Sequence, residues 1–122
     1  MKFYLCEHCG NIMTLVKDTG VPVMCCGQKM TLLVPGTTDA AVEKHVPVVE
    51  RRDGAVAVRV GSAEHPMLPA HFIQWIALET SQGSKIKYLQ PGQAPQAVFA
   101  LSEGETVEAV YEYCNLHGLW KA

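Results

Sequence analysis

The sequence predicts a mainly β protein with a small cysteine-rich module, residues 1–35, followed by an antiparallel β-sandwich, residues 36–122. Two observations predict this organisation. Four of the five cysteines lie in the first 35 residues, which end at Val34-Pro35-Gly36. After Gly36, several short apolar and β-branched segments are separated by glycine, proline and serine, a spacing typical of antiparallel sandwiches. With 48% hydrophobic and 18% charged residues, the composition is that of a folded globular protein.

Charge and hydropathy exclude several classes of function. The net charge is -2, which provides no basic surface for nucleic acid. The first residues, MKFYLCEHCG, lack the apolar region of a secretory signal, and no apolar run reaches membrane-spanning length. We therefore expect a soluble cytoplasmic protein. In a reducing compartment, five cysteines indicate metal ligands or reactive thiols in preference to disulfides.

The strands of the second part follow from alternation and turn signals. Val46–Arg52 and Ala55–Val60 flank an Asp-Gly dipeptide, which predicts a β-hairpin. Valines at alternate positions of Ala55–Val60 are typical of a half-buried strand. Four more strands are predicted at FIQWIALET, KIKYLQ, QAVFALS and TVEAVYEY. Only TTDAAVEKH looks helical, for one or two turns, because Pro47 prevents the helix from continuing.

The first candidate metal site consists of the cysteines of the module. CEHC is a C-x2-C knuckle, and a Cys-Cys pair follows after fifteen residues, close to the pattern of tetrathiolate zinc and iron sites. Thirty-five residues fall below the roughly 40 that usually fold without a metal, disulfide or partner. Adjacent Cys25 and Cys26 require a bent backbone and predict a distorted tetrahedron. Buried or redox-active thiols are the less favoured interpretation, and His8 is expected to lie outside the ligand set.

The second candidate site gathers the remaining histidines and the last cysteine. They occur in three segments, EKHVP, EHPMLPAH and CNLHG, and none lies within a predicted strand. Loops at one end of a sandwich can converge on one point. A lone histidine is usually a surface or satisfied core residue, and a lone buried cysteine usually packs. Together, however, these residues favour a metal site: His45, His65, His71, Cys114 and His117.

The number and type of these donors restrict the metal. Four imidazoles and one thiolate exceed the four ligands that close a structural zinc site. The set fits a five-coordinate iron with one open position, whose thiolate ligand would add electron density to the metal, as in haem-thiolate enzymes. Blue copper sites combine one cysteine with fewer histidines and match less well.

Longer motifs resemble desulfoferrodoxin, the two-iron form of superoxide reductase, over nearly the whole chain. CEHCGNIM and VMCCGQKM resemble the desulforedoxin-like module of that family. The segments EKHVPV, GSAEHPMLPAHFIQWI, LQPGQAPQAVF and EYCNLHGLWKA resemble its catalytic domain. The resemblance implies a seven-stranded immunoglobulin-like sandwich, two iron ions per chain and, for members that carry the first module, a homodimer.

The resemblance also implies a role for each candidate residue. One iron would be bound in a distorted tetrahedron by Cys6, Cys9, Cys25 and Cys26. The other would have Cys114 as axial ligand and an equatorial plane of His45, His65, His71 and His117. Glu43 is similar to a carboxylate that occupies the sixth position in the oxidised resting state, and Lys44 to a positive residue near the open position. Without the resemblance, this pair reads as solvated charges that close a short helical turn.

The function that the resemblance implies is one-electron reduction of superoxide to hydrogen peroxide, with a rubredoxin-like protein as electron donor. Some members of the family lack the first iron, which implies that the tetrathiolate site is not essential for catalysis. Two alternatives stay open. The chain could be an iron electron-transfer protein without superoxide chemistry, or a zinc-stabilised binding module.

Overall fold

Antiparallel strand pairing organises the whole chain. The computed structural model describes residues 1–122, which divide into two compact units, Met1–Val34 and Pro35–Ala122. Every strand pair in both units is antiparallel. The expectation of a mainly β protein is confirmed. No helix has the length and apolar character needed to cross a bilayer.

The first unit consists of very short strands. A three-stranded sheet has the order β2-β1-β5, and β3 pairs with β4 in a separate hairpin. Its few buried apolar side chains are Phe3, Cys6 and Met30. Because each strand has only two or three residues, the sequence pattern gave no signal for them. The five strands are β1 (Phe3–Leu5), β2 (Ile12–Thr14), β3 (Met24–Cys25), β4 (Gln28–Lys29) and β5 (Thr31–Leu32).

The second unit contains seven strands in two sheets, with the orders β10-β7-β6 and β12-β11-β8-β9. This is the number of strands that the resemblance implied, and it is compatible with an immunoglobulin-like sandwich. One helical turn, α1, precedes the first of these strands. The elements are α1 (Val42–His45), β6 (Pro47–Arg52), β7 (Ala55–Val60), β8 (Ile73–Thr80), β9 (Gly83–Tyr88), β10 (Gln96–Ala100), β11 (Val107–Cys114) and β12 (Gly118–Lys121).

The predicted hairpin and the four following strands are confirmed with small shifts of their ends. The predicted helix is shorter than its sequence pattern, since only Val42–His45 is helical within residues 37–45. Strand β12 was not predicted, because GLWK is too short to show alternation. It pairs with the end of β11, where Cys114 lies opposite Gly118.

An apolar core joins the two sheets. The alternating valines of β7 are almost fully buried, as predicted. On β8 the register with β11 shifts, because Cys114 pairs with Ile73 while Tyr113 pairs with Trp75. Gln74 is the extra residue of this bulge, and Ile73 therefore faces the core. The cluster includes Val56, Val58, Val60, Ile73, Ile76, Leu78, Leu89, Ala97, Phe99, Val110 and Cys114.

A carboxylic acid also lies in this core. Glu112 pairs directly opposite Ile76, a member of the cluster, and opposite pairs share one face of a sheet. The side chain is 0% exposed, and neither carboxyl oxygen has a hydrogen-bond partner. Burial raises the pKa of Glu112 to about 9, so that the group is neutral at neutral pH. Sequence analysis missed this residue, since a glutamate in a strand is typical of the solvent face.

This buried acid should make stability depend on pH. In the unfolded chain a glutamate titrates near about 4.3. The folded state therefore holds its proton over an interval in which the unfolded state has lost it. Stability should fall as pH rises between these two pKa values, by up to about 1.4 kcal/mol per pH unit. Glu112→Gln cannot ionise and should remove this slope. Urea unfolding of both proteins from pH 5 to 8 measures it, and identical slopes would contradict the assignment.

Candidate metal centres

Four sulfur atoms converge in the first unit, and all lie within 4.8 Å of one another: those of Cys6, Cys9, Cys25 and Cys26. The Sγ atoms of Cys9 and Cys25 are 3.7 Å apart. In the knuckle, the Cys9 backbone N–H donates to Cys6 Sγ over 3.5 Å. Cys26 has a φ of 52°, in the left-handed region, and this bend aims two adjacent thiols at one point. His8 is exposed and outside this group.

The thiols of this group have divergent acidity. Hydrogen bonds, above all that from the Cys9 backbone, lower the pKa of Cys6 to about 6. The neighbouring sulfurs raise the pKa of Cys25 and bring that of Cys26 to about 12. One thiolate therefore opposes the ionisation of the next unless a cation compensates the charge. Soft sulfur donors at this separation fit zinc or iron.

The second unit brings together all five of the other predicted donors. One ligand atom from each lies within 4.8 Å of the others. Neighbouring imidazoles meet edge to face at interplanar angles of 78–87°, and the four rings form a closed circuit. Their centroid separations are 4.8 Å for His45–His65, 4.7 Å for His65–His71, 5.1 Å for His71–His117 and 4.9 Å for His117–His45.

Hydrogen bonds to carbonyls fix which nitrogen faces the centre. The Nδ1–H groups of His45 and His65 donate to the Ala41 and Pro66 carbonyls over 2.7 and 2.6 Å, leaving Nε2 free. The Nε2 atoms of His65 and His71 are buried without a hydrogen-bond partner. His117 instead presents Nδ1, which lies 3.1 Å from His45 Nε2 and 4.0 Å from Cys114 Sγ. Metal-binding histidines are usually held in this way by a carbonyl or carboxylate.

Burial keeps the imidazoles in the form that binds metal. It lowers the pKa of His45 and His71, and that of His65 to about 4, so these rings are neutral at neutral pH. Burial also raises the pKa of the Cys114 thiol. Buried nitrogen atoms without partners, next to a buried thiol, are the environment that a cation would satisfy. The donor set therefore fits an iron ion.

Backbone contacts fix the turn that carries His45. The carbonyl of Glu43 accepts hydrogen bonds from Ala63 N at 2.9 Å and Ser62 Oγ at 3.2 Å. Gly61 lies so close that a Cβ there would be 2.6 Å from the same carbonyl oxygen. A side chain cannot be accommodated at this distance without moving the turn. Sequence analysis did not single out Gly61, since a glycine after a strand is an ordinary loop residue.

Asn115 connects two of the ligand-bearing loops. Its Oδ1 accepts from Phe72 N over 2.9 Å, and its Nδ2 donates to the Ala70 carbonyl over 3.0 Å. Its own backbone N–H donates to the Phe72 carbonyl. Asn115, which lies between Cys114 and His117, is therefore hydrogen-bonded to both chain neighbours of His71.

The two charged residues before His45 are exposed. Burial is the main cause of the lowered pKa values of His45 and His71, and the positive charge of Lys44, which directly precedes His45, contributes to both. The hydrogen bonds made at Glu43 involve its backbone carbonyl and leave its carboxylate in solvent.

These two ligand sets define a non-haem metalloprotein with one tetrathiolate centre and one His4Cys centre. The family model of desulfoferrodoxin matches residues 37–122. A desulfoferrodoxin of Desulfarculus baarsii is 46% identical over 122 residues, which cover 100% of this chain and 95% of that protein. The chain belongs to the desulfoferrodoxin family, and its ligand sets are consistent with the two irons of that family.

Solved structures show the same relationship. The superoxide reductase from Treponema pallidum superposes with a TM-score of 0.83 and 38% identity, covering 98% of each chain. A superoxide reductase (1Fe-SOR) from Giardia intestinalis superposes with a TM-score of 0.56 and 31% identity. That match covers 66% of this chain and 95% of the other. The similarity thus extends to a protein whose length corresponds to about two thirds of this chain.

Removing one module cysteine should affect only the first centre. Cys9→Ser leaves three thiols, so the first iron should be lost and residues 1–35 should become protease-sensitive, because their apolar core is small. The second centre should keep its iron. Iron analysis and limited proteolysis measure both effects. Cys114→Ser is the matched control, because it should lose the second iron and keep the first. Unchanged iron content and protease resistance in Cys9→Ser would contradict the tetrathiolate assignment.

A methyl group at Gly61 should disturb the second centre alone. Gly61→Ala places Cβ against the Glu43 carbonyl, so the turn bearing His45 must shift. We expect the second iron to dissociate faster by about tenfold or more, as is typical when the support of a ligand is lost. Ser62→Ala removes only one hydrogen bond from the same carbonyl and should have a smaller effect. Equal iron retention by Gly61→Ala and the parent would show that the turn is not held in this way.

Proposed function

We propose that the chain reduces superoxide to hydrogen peroxide, taking up one electron and two protons for each superoxide. The observation that carries this proposal is the convergence of four imidazoles and one thiol within 4.8 Å in the second unit. The similarity to superoxide reductases from Treponema pallidum and Giardia intestinalis supports it. An iron electron-transfer protein without superoxide chemistry is the alternative, and a slow reaction with superoxide, or none, would favour it.

Each donor has a proposed role. His45, His65, His71, His117 and Cys114 would hold iron, which when bound supplies a one-electron couple and a coordination position beyond the five protein donors. The Cys114 thiolate would add electron density to the metal. The carbonyls of Ala41 and Pro66 keep two of the imidazoles in the tautomer that presents Nε2. Residues 1–35 would hold the other iron, and catalysis would belong to residues 36–122.

Lys44 would attract the anionic substrate. Residues 36–122 contain seven Lys and Arg against ten Asp and Glu, so the overall charge opposes the approach of superoxide. The effect of Lys44 on His45 and His71 supports a local positive potential at the centre. Its Nζ would also donate hydrogen bonds to the substrate. Such a charge raises association rates, and its effect declines with ionic strength.

Glu43 would supply a carboxylate to the oxidised centre. Its backbone is held at the carbonyl, whereas its side chain is exposed and can reorient. Because it lies two residues before His45, a change in its side-chain rotamer could bring the carboxylate towards the same metal.

A rubredoxin-like protein would return the electron, and we propose that it approaches beside the ligand loops. Leu68 and Leu116 are 60% and 58% exposed, and they lie within the segments that carry His71 and His117. Exposed apolar side chains support docking of a partner at this edge. Saturable electron transfer from reduced rubredoxin, weakened by Leu116→Asp, tests the proposal. Transfer that is unaffected by this substitution would place the donor elsewhere.

The chain is also proposed to be a cytoplasmic homodimer. All five cysteines belong to the two ligand sets and none forms a disulfide, an arrangement that fits a reducing compartment. The small first unit exposes several large apolar side chains, including Val16, Val21, Met24 and Val34, and their burial against a second copy would offset this exposure. Sedimentation equilibrium measures the state of assembly, and a monomer at micromolar concentration would contradict the dimer.

Rapid mixing of the reduced protein with superoxide tests the proposed reaction. We expect oxidation of the second iron at a rate that increases linearly with superoxide concentration, with one hydrogen peroxide formed for each iron oxidised. The peroxide yield distinguishes reduction from dismutation, which would also release dioxygen. Slow oxidation without peroxide would favour the electron-transfer alternative. Zinc at both centres would favour a binding module.

Lys44→Ala should slow the bimolecular step and flatten its dependence on ionic strength, with both irons retained. Lys44→Arg keeps the charge and should preserve most of the steering, although its planar donors are arranged differently. Rates at several salt concentrations measure both effects. An alanine variant as fast and as salt-sensitive as the parent would remove Lys44 from the reaction.

Glu43→Ala should leave oxidation of the reduced protein nearly unchanged, because the carboxylate is proposed to act only after the electron has left. The optical spectrum of the oxidised protein should change, since one donor is then replaced. Glu64→Ala, a substitution of another acidic residue just before a ligand, is the matched control. Identical oxidised spectra of parent and Glu43→Ala from pH 5 to 9 would show that Glu43 is a surface charge.

A further inference from the structure

Trp120 contacts two ligands of the second centre from a single side chain. Its indole stacks on the imidazole of His45, with ring centroids 4.9 Å apart and an interplanar angle of 29°. Its Nε1–H donates to the backbone carbonyl of His117 over 3.0 Å. The residue lies on β12 and is 4% exposed, so that both contacts are shielded from water.

Both of these ligands need support beyond their own segments. His45 ends the single turn of α1, and a four-residue helix has little stability of its own. His117 lies in the short connection between β11 and β12. The two residues are 72 positions apart in the chain, yet their facing nitrogens, Nε2 of His45 and Nδ1 of His117, are 3.1 Å apart.

The two contacts of Trp120 constrain different degrees of freedom. The Ala41 carbonyl fixes the tautomer of His45 through Nδ1, and the indole face limits rotation of that ring about its Cβ–Cγ bond. The hydrogen bond from Nε1 fixes the peptide plane at His117, and with it the direction from which the ring enters the centre. Strand pairing of Trp120 with Glu112 anchors the indole to the sheet.

We propose that Trp120 is a positioning residue of the His4Cys centre, which holds His45 and His117 so that their facing nitrogens converge before iron is bound. The inference rests on the proposed function in taking iron as the metal. A preformed pair of imidazoles loses less conformational freedom on metal binding, and the loss of such support typically costs about 10–100-fold in metal affinity. Trp120 is thus assigned to the metal site, although it contributes no ligand atom.

Two variants of the full two-iron protein separate the contacts. Trp120→Phe keeps an aromatic face for His45 and loses the N–H, whereas Trp120→Leu loses both. Trp75→Phe is the matched control, because Trp75 is also buried and stacked, on Tyr113 with centroids 5.5 Å apart. The measurements are the rate at which a chelator removes the second iron, the reduction potential of that iron, and the sulfur-to-iron absorption band that Cys114→Ser should abolish.

We expect Trp120→Leu to release the second iron about 10–100-fold faster than the parent, with a shifted absorption band and potential. The rate of iron release from Trp120→Phe should lie between the rates of the parent and of Trp120→Leu. The rate for Trp75→Phe should match that of the parent. The first iron should stay bound in all variants, and its retention would show that the variants are folded. The inference is wrong if Trp120→Leu retains iron and spectrum as Trp75→Phe does. It is also wrong if both Trp120 variants lose the two irons together, which would assign the indole to general stability.

Failure of the proposed function would be distinguishable from failure of this inference. A parent protein that binds iron but yields no peroxide with superoxide would contradict the proposed reaction. The comparison of iron retention among the variants would still test the role of Trp120, because it requires no substrate.

Discussion

Buried imidazole nitrogens without hydrogen-bond partners are the constraint on which the metal site of the second unit depends. A polar group taken out of water without a partner costs about 1–3 kcal/mol in proteins. His65 and His71 each carry such an atom at the same point, and Cys114 adds a buried thiol. The surrounding carbonyls and the Asn115 side chain hold these donors in place in spite of this cost. A cation at the centre would satisfy all of them at once.

The two units differ in the size of their apolar cores and therefore in the expected source of their stability. The first unit has two- and three-residue strands and a small apolar core, so we expect a metal held by its four sulfur atoms to supply much of its stability. The second unit has an extensive core between two sheets, and the site lies where loops and the ends of β11 and β12 meet. We therefore expect the second unit to fold and place its ligands without metal, and the first unit to require metal in order to fold.

Many features of the fold and of the two sites could be predicted from the sequence, because they are formed by residues close together in the chain. The Asp-Gly turn, the alternating valines of β7 and the C-x2-C knuckle each act through near neighbours in the chain. Convergence of His45, His65 and His117 was inferred only from their absence from strands and from the resemblance. The stacking of Trp120 on His45, the tight approach at Gly61 and the burial of Glu112 depend on strand register and on residues distant in sequence. No pattern of periodicity or spacing encodes such contacts, so they required the three-dimensional structure.

The contrasting acidity of the donors has a consequence for how the protein acquires its metals. Uptake of a cation by the first unit must displace protons from thiols such as Cys26, whose pKa is about 12. In the second unit, burial has already made three imidazoles neutral, and the Cys114 thiol is the donor that must give up a proton. Acidification of the medium therefore opposes loading of the tetrathiolate centre more steeply. In a cell whose internal pH falls, occupancy of the first centre in newly made chains would therefore decline more steeply with pH than occupancy of the second, through proton competition.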